Sequence, residues 1–492
     1  MSAKQIKPSY GLLAILMTGA FVALLSNTLL NVALPSIMNE FDVSAATVQW
    51  LSTGYMLVNG ILIPTTAFLI NKYTARRLFL TAMGLFTLGT LISGFAPSFA
   101  MILVGRMVQA SGAALIMPLL MNVLYTSFPP EKRGSAMGMF GIVMIFAPAI
   151  GPTLSGWVIQ HYNWSVLFFM MVPLMVIVWI LGFFKLHDKK EASNAKIDAL
   201  SVALSALSFG GILYGFSSAG NHGWSAPSVY LTIIVGVLSL AWLILRQFKL
   251  DEPMLDFRVY KYPMFALSSA ISVTLNMAMF SAMLLLPIYL QNIRGISAMD
   301  SGLMMLPGAL IMGIMMPITG KIFDKYGPKI LAYVGLTIVV VTTFLFGQLT
   351  DSTEYMQLVI IYSVRMLGIS MVMMPIMTNG LNQIPHALIP HGTAMNSTIQ
   401  QVSGAIGASL LVTIMSNRTA VHAENMLAEA MAKLTTTPTG EAIVELQQHI
   451  TMEATISGIN DSFLVSTGIA VVAFILSIFI KRTTFPKTPE TK

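Results

Sequence analysis

Residues 99–126 read FAMILVGRMVQASGAALIMPLLMNVLYT, 28 residues with a single charge, Arg106. Coiled as a helix at 1.5 Å per residue, the run is about 42 Å long, enough to cross the roughly 30 Å hydrocarbon core of a bilayer. Lipid offers the backbone no hydrogen-bond partners, so a crossing segment must be an α-helix or part of a closed barrel. The run is too long and too uniformly apolar for a barrel strand. Comparable runs recur from 10–34 to 461–481, and hydropathy counts fourteen of them. The expected fold class is an all-α membrane protein with 14 transmembrane helices.

Composition narrows the function. Of the 492 residues, 55% are hydrophobic and 10% charged, against about 25% charged in a soluble domain. The chain has no Cys, which excludes thiol catalysis, disulfides and thiolate metal sites. No His, Asp or Glu cluster lies inside the apolar runs, so neither an enzyme nor a metal site is expected. The formal charge of +7 is spread over loops, so no nucleic-acid partner is expected. The short basic leader (Lys4, Lys7) runs directly into the first span and reads as a retained signal anchor. The expected location is the cell membrane, crossed many times.

Loop charges give the orientation. With the N-terminus inside, cytoplasmic segments hold 22 of the 27 Lys and Arg, a strong positive-inside bias. Both termini are then cytoplasmic. The spans divide as six, two and six: an N-terminal bundle over 1–190, a linker with two extra spans over 191–262, and a C-terminal bundle over 263–492. The last contains an outer loop, 417–460, between spans 392–416 and 461–481. Its helix-like content over Ala423–Lys433 and Glu441–Met452 is broken by Thr-Thr-Thr-Pro-Thr-Gly. The loop is read as solvated rather than as a cap on the outer mouth. The two sets of six echo each other. Asn71-Lys72-Tyr73-Thr74-Ala75-Arg76 follows span two, and Asp324-Lys325-Tyr326-Gly327-Pro328-Lys329 follows span ten. Arg106 precedes Pro118 and Pro129, as Arg365 precedes Pro375 and Pro385. Parallel six-helix repeats are a transporter architecture with the site between the halves.

Several motifs stand in order along the chain. Span one ends Asn31-Val32-Ala33-Leu34-Pro35, and span two opens Gln49-Trp50-Leu51-Ser52-Thr53-Gly54-Tyr55. Span five reads Gly151-Pro152-Thr153-Leu154-Ser155-Gly156, and the loop Gly320 to Lys329 follows span ten. Span thirteen gives Asn396, Gln401 and Gly404-Ala405-Ile406-Gly407. Together they resemble the major facilitator superfamily, and within it the fourteen-span drug:proton antiporters of bacteria, the multidrug and lincomycin-type efflux transporters. The resemblance implies a monomeric exporter of amphipathic small molecules working by alternating access. It implies the proton gradient as energy source and no cofactor.

In span five, Pro148 and Pro152 lack amide donors, while Gly141, Gly151 and Gly156 admit a neighbouring helix. They read as a gate between the halves. Asp324, just before span eleven, suits the free amides at that helix start, with Gly327 turning the chain. The resemblance implies that Gly320, Asp324, Lys325, Gly327 and Lys329 latch the cytoplasmic face. Asn71, Lys72 and Arg76 form a weaker counterpart, with Asn71 replacing the acid. Arg106 is costly near mid-membrane unless it faces a cavity or a partner. Ser26, Asn27, Asn31, Tyr55, Arg106 and Gln109 form the expected polar set at a central cavity, joined from the second half by Asn276, Arg365, Asn396 and Gln400. A packing role for Arg106, bonding span-one carbonyls, is compatible with that.

The sequence departs from the resembled pattern at Ser26, where an Asp is expected, and at Gln400, where a base is common. No acidic residue falls in the middle of a span, and His161, His222, His386 and His391 are read as lying in loops. A cavity without carboxylates favours neutral or anionic amphipaths over cations. The 37 Met residues supply adaptable wall. The alternative is a lipid or anionic-amphipath exporter without carboxylate-based coupling.

Overall fold

The computed structural model describes residues 10–43, 45–48, 50–129, 132–186, 198–433 and 440–482. Among them all regular structure is helical. The first group is α1 (Tyr10–Glu40), α2 (Trp50–Lys72), α3 (Ala75–Gly94), α4 (Phe99–Ser127), α5 (Arg133–His161) and α6 (Ser165–Lys185). Then come α7 (Ala199–His222) and α8 (Pro227–Lys249). The last group is α9 (Pro263–Ile288), α10 (Ala298–Tyr326), α11 (Pro328–Phe346), α12 (Tyr355–Asn382), α13 (Ile389–Lys433) and α14 (Gly440–Ser477). Among the described residues thirteen stretches are long and apolar enough to cross a membrane; in α5 the described apolar part is the shorter Arg133–Ala147.

Local chemistry sets the helix boundaries. Thr74, Ser98 and Ser297 accept a first-turn amide at the starts of α3, α4 and α10, a bond that orphan N–H groups require. Pro64 sits in the 3-10 turn Ile63–Thr65 that interrupts α2, since proline has no amide to give the ladder. Gly327 joins α10 to α11 at φ +81°, a conformation glycine adopts without the Cβ penalty.

Small residues set the packing within each half. A methyl added to Gly89 would land 2.5 Å from the Gly105 carbonyl oxygen, so α3 and α4 meet backbone to backbone. Gly335 and Gly368 do the same between α11 and α12, the corresponding pair of the second half. Without a hydrophobic drive between helices in lipid, such close contact supplies much of the association. The outward face of α8 carries Leu231, Ile234, Leu238, Trp242 and Leu245, all exposed, a stripe at helical spacing suited to lipid.

The pair α7–α8 closes on Gly211 and Gly236 and leans on both halves. Trp50 of α2 stacks on Tyr214 at 5.9 Å, and Trp224 donates to Thr413 of α13 at 2.8 Å. Below it, Arg246 grips Asp198 through two bonds of 2.7 and 3.0 Å. That guanidinium holds the carboxyl down at about 2.

The start of α1 lies beside α3, where Gly19 packs on Phe79. The end of α14 lies beside the α10–α11 turn, where Arg482 donates to the Asp324 carbonyl at 2.8 Å. The start of α1 and the end of α14 therefore lie toward the inter-helix turns rich in Lys and Arg, here termed the basic end.

One stretch differs from its sequence reading. The helix-like runs of 417–460 are not set off in a separate loop: α13 continues unbroken to Lys433 and α14 begins at Gly440, with 434–439 outside the described residues. The segment is rich in Ala, Glu, Met and Leu, strong helix formers, so the two helices simply run on. Asp461 pins the extension by accepting from Arg418 and by pairing with His422 at 2.9 Å. Beneath it a cavity of about 630 Å³ is lined by Asn292, Gln447, Gln448 and Thr451.

Candidate functional site

Arg106 sits seven residues into α4, about 10 Å from the helix start at Phe99, remote from the basic end. Its side chain has no exposed surface. Each guanidinium nitrogen finds an oxygen: Nε the Leu51 carbonyl at 3.4 Å, one terminal nitrogen Asn27 at 2.8 Å, the other Gln109. The Tyr55 ring covers the guanidinium at 4.2 Å, a cation–π contact that gains strength away from water. Gln109 passes the network on to Ser26 at 3.0 Å and to Thr90 at 2.9 Å. Helices α1, α2, α3 and α4 thus share one neutral-partnered cation. Asn27 is half-buried and forms the cluster's accessible rim. The sequence missed Thr90; its hydroxyl on the α3 face toward α4 gave no signal in hydropathy.

Arg365 of α12 is also fully buried, and its partners are fewer. One terminal nitrogen donates to the Ala278 carbonyl at 2.6 Å and to Ser281 at 3.2 Å, while Nε and the other terminal nitrogen have no partner among the described residues. Ser466 of α14 completes this junction with Ser281 at 3.0 Å. The other second-half residues stand apart from it. Asn276 bonds within its own helix to Ser272 at 2.7 Å. Asn396 reaches Met377 at 2.8 Å, and Gln400 is half-buried on α13. The structure therefore gathers the first-half set and leaves the second-half set dispersed. The side chain of Asn31 lies outside the described residues.

The basic end shows how the halves meet. Asp324 does not cap α11, as the sequence suggested. Its carboxylate accepts from the Gly134 amide at 2.8 Å, the Ser135 amide at 2.9 Å and the Ser135 hydroxyl at 2.6 Å, all on α5 of the other half. The reason is local. Asp324 still lies inside α10, so its side chain points sideways, and α11 opens with Pro328, which has no amide to offer. The first turn of α5 has no side-chain cap of its own, and its orphan amides and positive helix end take the carboxylate. Arg133 adds a second tie, donating to Asn382 of α12 at 3.1 Å. Ser135 and Asn382 were absent from the sequence reading, which counted Arg133 only among the cytoplasmic loop charges.

Along the same seam, Gly134 faces Gly320 and Gly138 faces Met316 and Pro317 backbone to backbone, and Gly141 abuts Met316. Beyond Phe146, which packs on Gly313, α5 changes partners: Gly151 meets Thr28 and Ser155 donates to the Leu29 carbonyl at 2.6 Å. Its basic-end half belongs to the other bundle and its outer half to its own. Gly156 admits no neighbour, since an added methyl there meets nothing within 4 Å; the chain has left the seam by then. The backbone stays helical through 148 and 152, and the side chains of Pro148 and Pro152 lie outside the described residues.

At the counterpart turn, Asn71 pairs with His391 of α13 at 3.2 Å. Lys72 lies over the Phe68 and Tyr73 rings. Arg76 serves its own half, donating to the Phe183 carbonyl at 2.8 Å. In the second half, Lys325 and Lys329 cover Tyr326 and Tyr333. The histidines also need correction. His161 and His222 are the last residues of α5 and α7, and His386 opens a 3-10 turn. His391 lies in the first turn of α13 and is 6% exposed.

Comparison with known proteins agrees with this geometry. Residues 16–408 match the Major Facilitator Superfamily profile. The chain is 46% identical to the uncharacterized MFS-type transporter YhcA of Bacillus subtilis, over 97% of this chain and 94% of that protein. It is 41% identical to the lincomycin resistance protein LmrB of Listeria innocua, over 97% and 98% respectively. Among solved structures, the human organic anion transporter MFSD10 superposes with a TM-score of 0.66 at 11% identity, covering 96% of this chain and 99% of that one. At that identity the likeness shows the fold alone. Two six-helix groups latched across a shared seam, and a family match over most of the length, lead to one conclusion: the chain is a membrane transporter, not an enzyme, and belongs to the major facilitator superfamily.

Proposed function

We propose that this protein exports amphipathic small molecules, neutral or anionic, by proton-coupled alternating access between its two six-helix groups. In this reading the chain crosses the cell membrane fourteen times and works as a monomer with no cofactor. The basic end faces the cytoplasm with both termini, following the positive-inside bias. Its latches are then closed, so the state described is one whose cytoplasmic side is shut. The observation that carries the reading is the divided allegiance of α5, held by Asp324 of the other half at one end and by α1 at the other. Releasing the Asp324, Arg133 and Asn71 contacts at one end would free that seam without unpacking either bundle. The resistance to lincomycin named for LmrB, a 41% identical relative, supports drug-like cargo.

Arg106 acts in this scheme as a fixed positive centre whose rim, Asn27, meets cargo. Its partners are a carbonyl and two side-chain amides rather than a carboxylate, so a lipophilic cation gains nothing there, while a carbonyl, hydroxyl or acidic group does. The test is transport into inverted vesicles with an imposed pH gradient, comparing cationic, neutral and anionic amphipaths. Neutral or anionic compounds should be taken up and should dissipate the gradient. Uptake that ignores the gradient would remove proton coupling, and a preference for cations would remove the role given to Arg106.

A further inference from the structure

His391 holds together three stretches of chain that are remote in sequence. It belongs to the first turn of α13. Its Nδ1 accepts the backbone amide of Asp256, in the segment between α8 and α9, at 3.1 Å. Its Nε2 lies 3.2 Å from the side-chain amide of Asn71, at the end of α2. The Asp256 segment is itself anchored. Gln247 of α8 accepts from the Leu255 amide at 3.2 Å and donates to Ser201 of α7 at 2.6 Å. One imidazole therefore ties the first half, the inserted pair with its following segment, and the second half.

The hydrogen bonds fix the ring's protonation. A nitrogen that accepts a backbone N–H carries no proton, so Nδ1 is bare. A neutral imidazole then bears its proton on Nε2, and the Asn71 amide must turn its oxygen toward it. Adding a proton puts an N–H at Nδ1, 3.1 Å from the N–H of Asp256, donor facing donor. Backbone amides buried without an acceptor are costly, so the ring and the Asp256 segment must separate. The closed tie and the second proton exclude each other.

From this geometry we infer that His391 is a proton-binding site, and that a proton taken up there opens the basic-end tie between the halves. The inference rests on the reading of the protein as a proton-coupled carrier, and it supplies the titratable group that no mid-span carboxylate provides. The direction suits an exporter, since protonation would favour the basic-end-open state, in which the proton can be released and cargo taken up. Other charged groups surround the ring. Asp256 is buried beside it and sits 4.0 Å from Arg258. Lys72 follows Asn71 on the α2 side, and His386 precedes α13 near Arg133. Asp256 would welcome the imidazolium once the ring has moved off the amide, which makes opening by protonation a directed step. Asp324, a fixed acceptor of two helix amides, has no comparable exclusion built into it.

The cysteine-free chain permits a direct measurement. Spin labels on K132C and K321C, both exposed and on opposite sides of the seam, report basic-end separation in lipid nanodiscs without substrate. Acidification from pH 8 to 4 should convert the short distance to a longer one, by up to tenfold in population per pH unit below the ordinary histidine value near 6.5. The closed tie takes no second proton, so the midpoint falls below the value of the freed ring. His391→Gln still offers the Asp256 amide an acceptor and takes no proton, so its distance should stay short at every pH. Asn71→Asp gives Nε2–H a carboxylate to donate to, strengthens the closed tie and should move the midpoint to lower pH, which keeps the idea testable even if the Gln variant folds poorly. A wild-type distance unchanged across this range overturns the proposal, as does a His391→Gln variant that titrates like the parent. A pH-responsive distance together with export indifferent to a gradient would support the proton site and count against the proton-driven reading.

Discussion

The turn after α10 and the turn after α2 hold equivalent places in the two halves, yet they grip the opposite half by different chemistry. Asp324 presents a carboxylate to two orphan amides and a hydroxyl of α5. Asn71 presents a neutral amide to the His391 ring of α13. Charge-assisted bonds contribute about 1.5–3 kcal/mol each and neutral ones nearer 1 kcal/mol, so the first grip dominates. The second is weaker, and its partner can change charge. One repeat supplies most of the closing strength, and the other supplies a contact that responds to protons.

The largest effect should come from denying the strong grip its close approach. In Gly134→Ala the new methyl would sit 2.5 Å from the Gly320 carbonyl oxygen, and backbone cannot step aside as a side chain can. Overpacking of that kind costs about 2 kcal/mol, equivalent to roughly a thirtyfold bias toward an open basic end. Labelling of Lys321→Cys by a membrane-impermeant maleimide should rise and export should fall; unchanged export would show that the seam does not need to close this tightly. Asp324→Ala leaves the backbone fit intact and removes the acceptors, so a loss of about tenfold in export is expected. Export that survives this change untouched would mean the cap is incidental. Asn71→Ala should cost least, about fivefold or less, in keeping with one neutral bond. If it proved as damaging as Asp324→Ala, the ranking of the two grips would be reversed.

The crossing helices were legible because lipid enforces helical backbone on any long apolar run, and 99–126 needs no tertiary information to be read. The echo of the two halves was legible too, since Asn71–Arg76 and Asp324–Lys329 align in type and order. What an acidic side chain points at was not. Asp324 and Gly134 are 190 positions apart, and local reasoning pairs a carboxylate with the next helix in the chain. Hydropathy began span thirteen at residue 392, while the helix begins at Ile389; that small error kept His391 among the loops. The helical character of Ala423–Lys433 and Glu441–Met452 was legible from their helix formers, but their continuity with the spans on either side was not, because polar helix formers carry no hydropathy signal. At the Arg106 cluster, spacing put Gln109 on the same face as Arg106. The links through Thr90 and Leu51 depend on how four helices pack.

Gly89 and Gly105 explain why that cluster keeps its geometry. With α3 and α4 touching through backbone, Gln109 is held within reach of Thr90 and Ser26, and Arg106 inherits its aim from Gln109. The second half has its own close pair, Gly335 and Gly368. Its arginine instead leans on a carbonyl and one serine, so equal helix packing has produced unequal saturation of the two guanidinium groups.

The length of α13 has a mechanical consequence. At 45 residues it is a strut of about 67 Å, rooted at the basic end by His391 and free of the apolar core at its far tip. If the second half turns about its basic-end grips, each degree of rotation swings that tip through about 1.2 Å. Small adjustments beside Asn71 are thus geared up into large excursions on the opposite face, where a reporter placed on the α13–α14 hairpin would read the carrier's stroke with the greatest leverage.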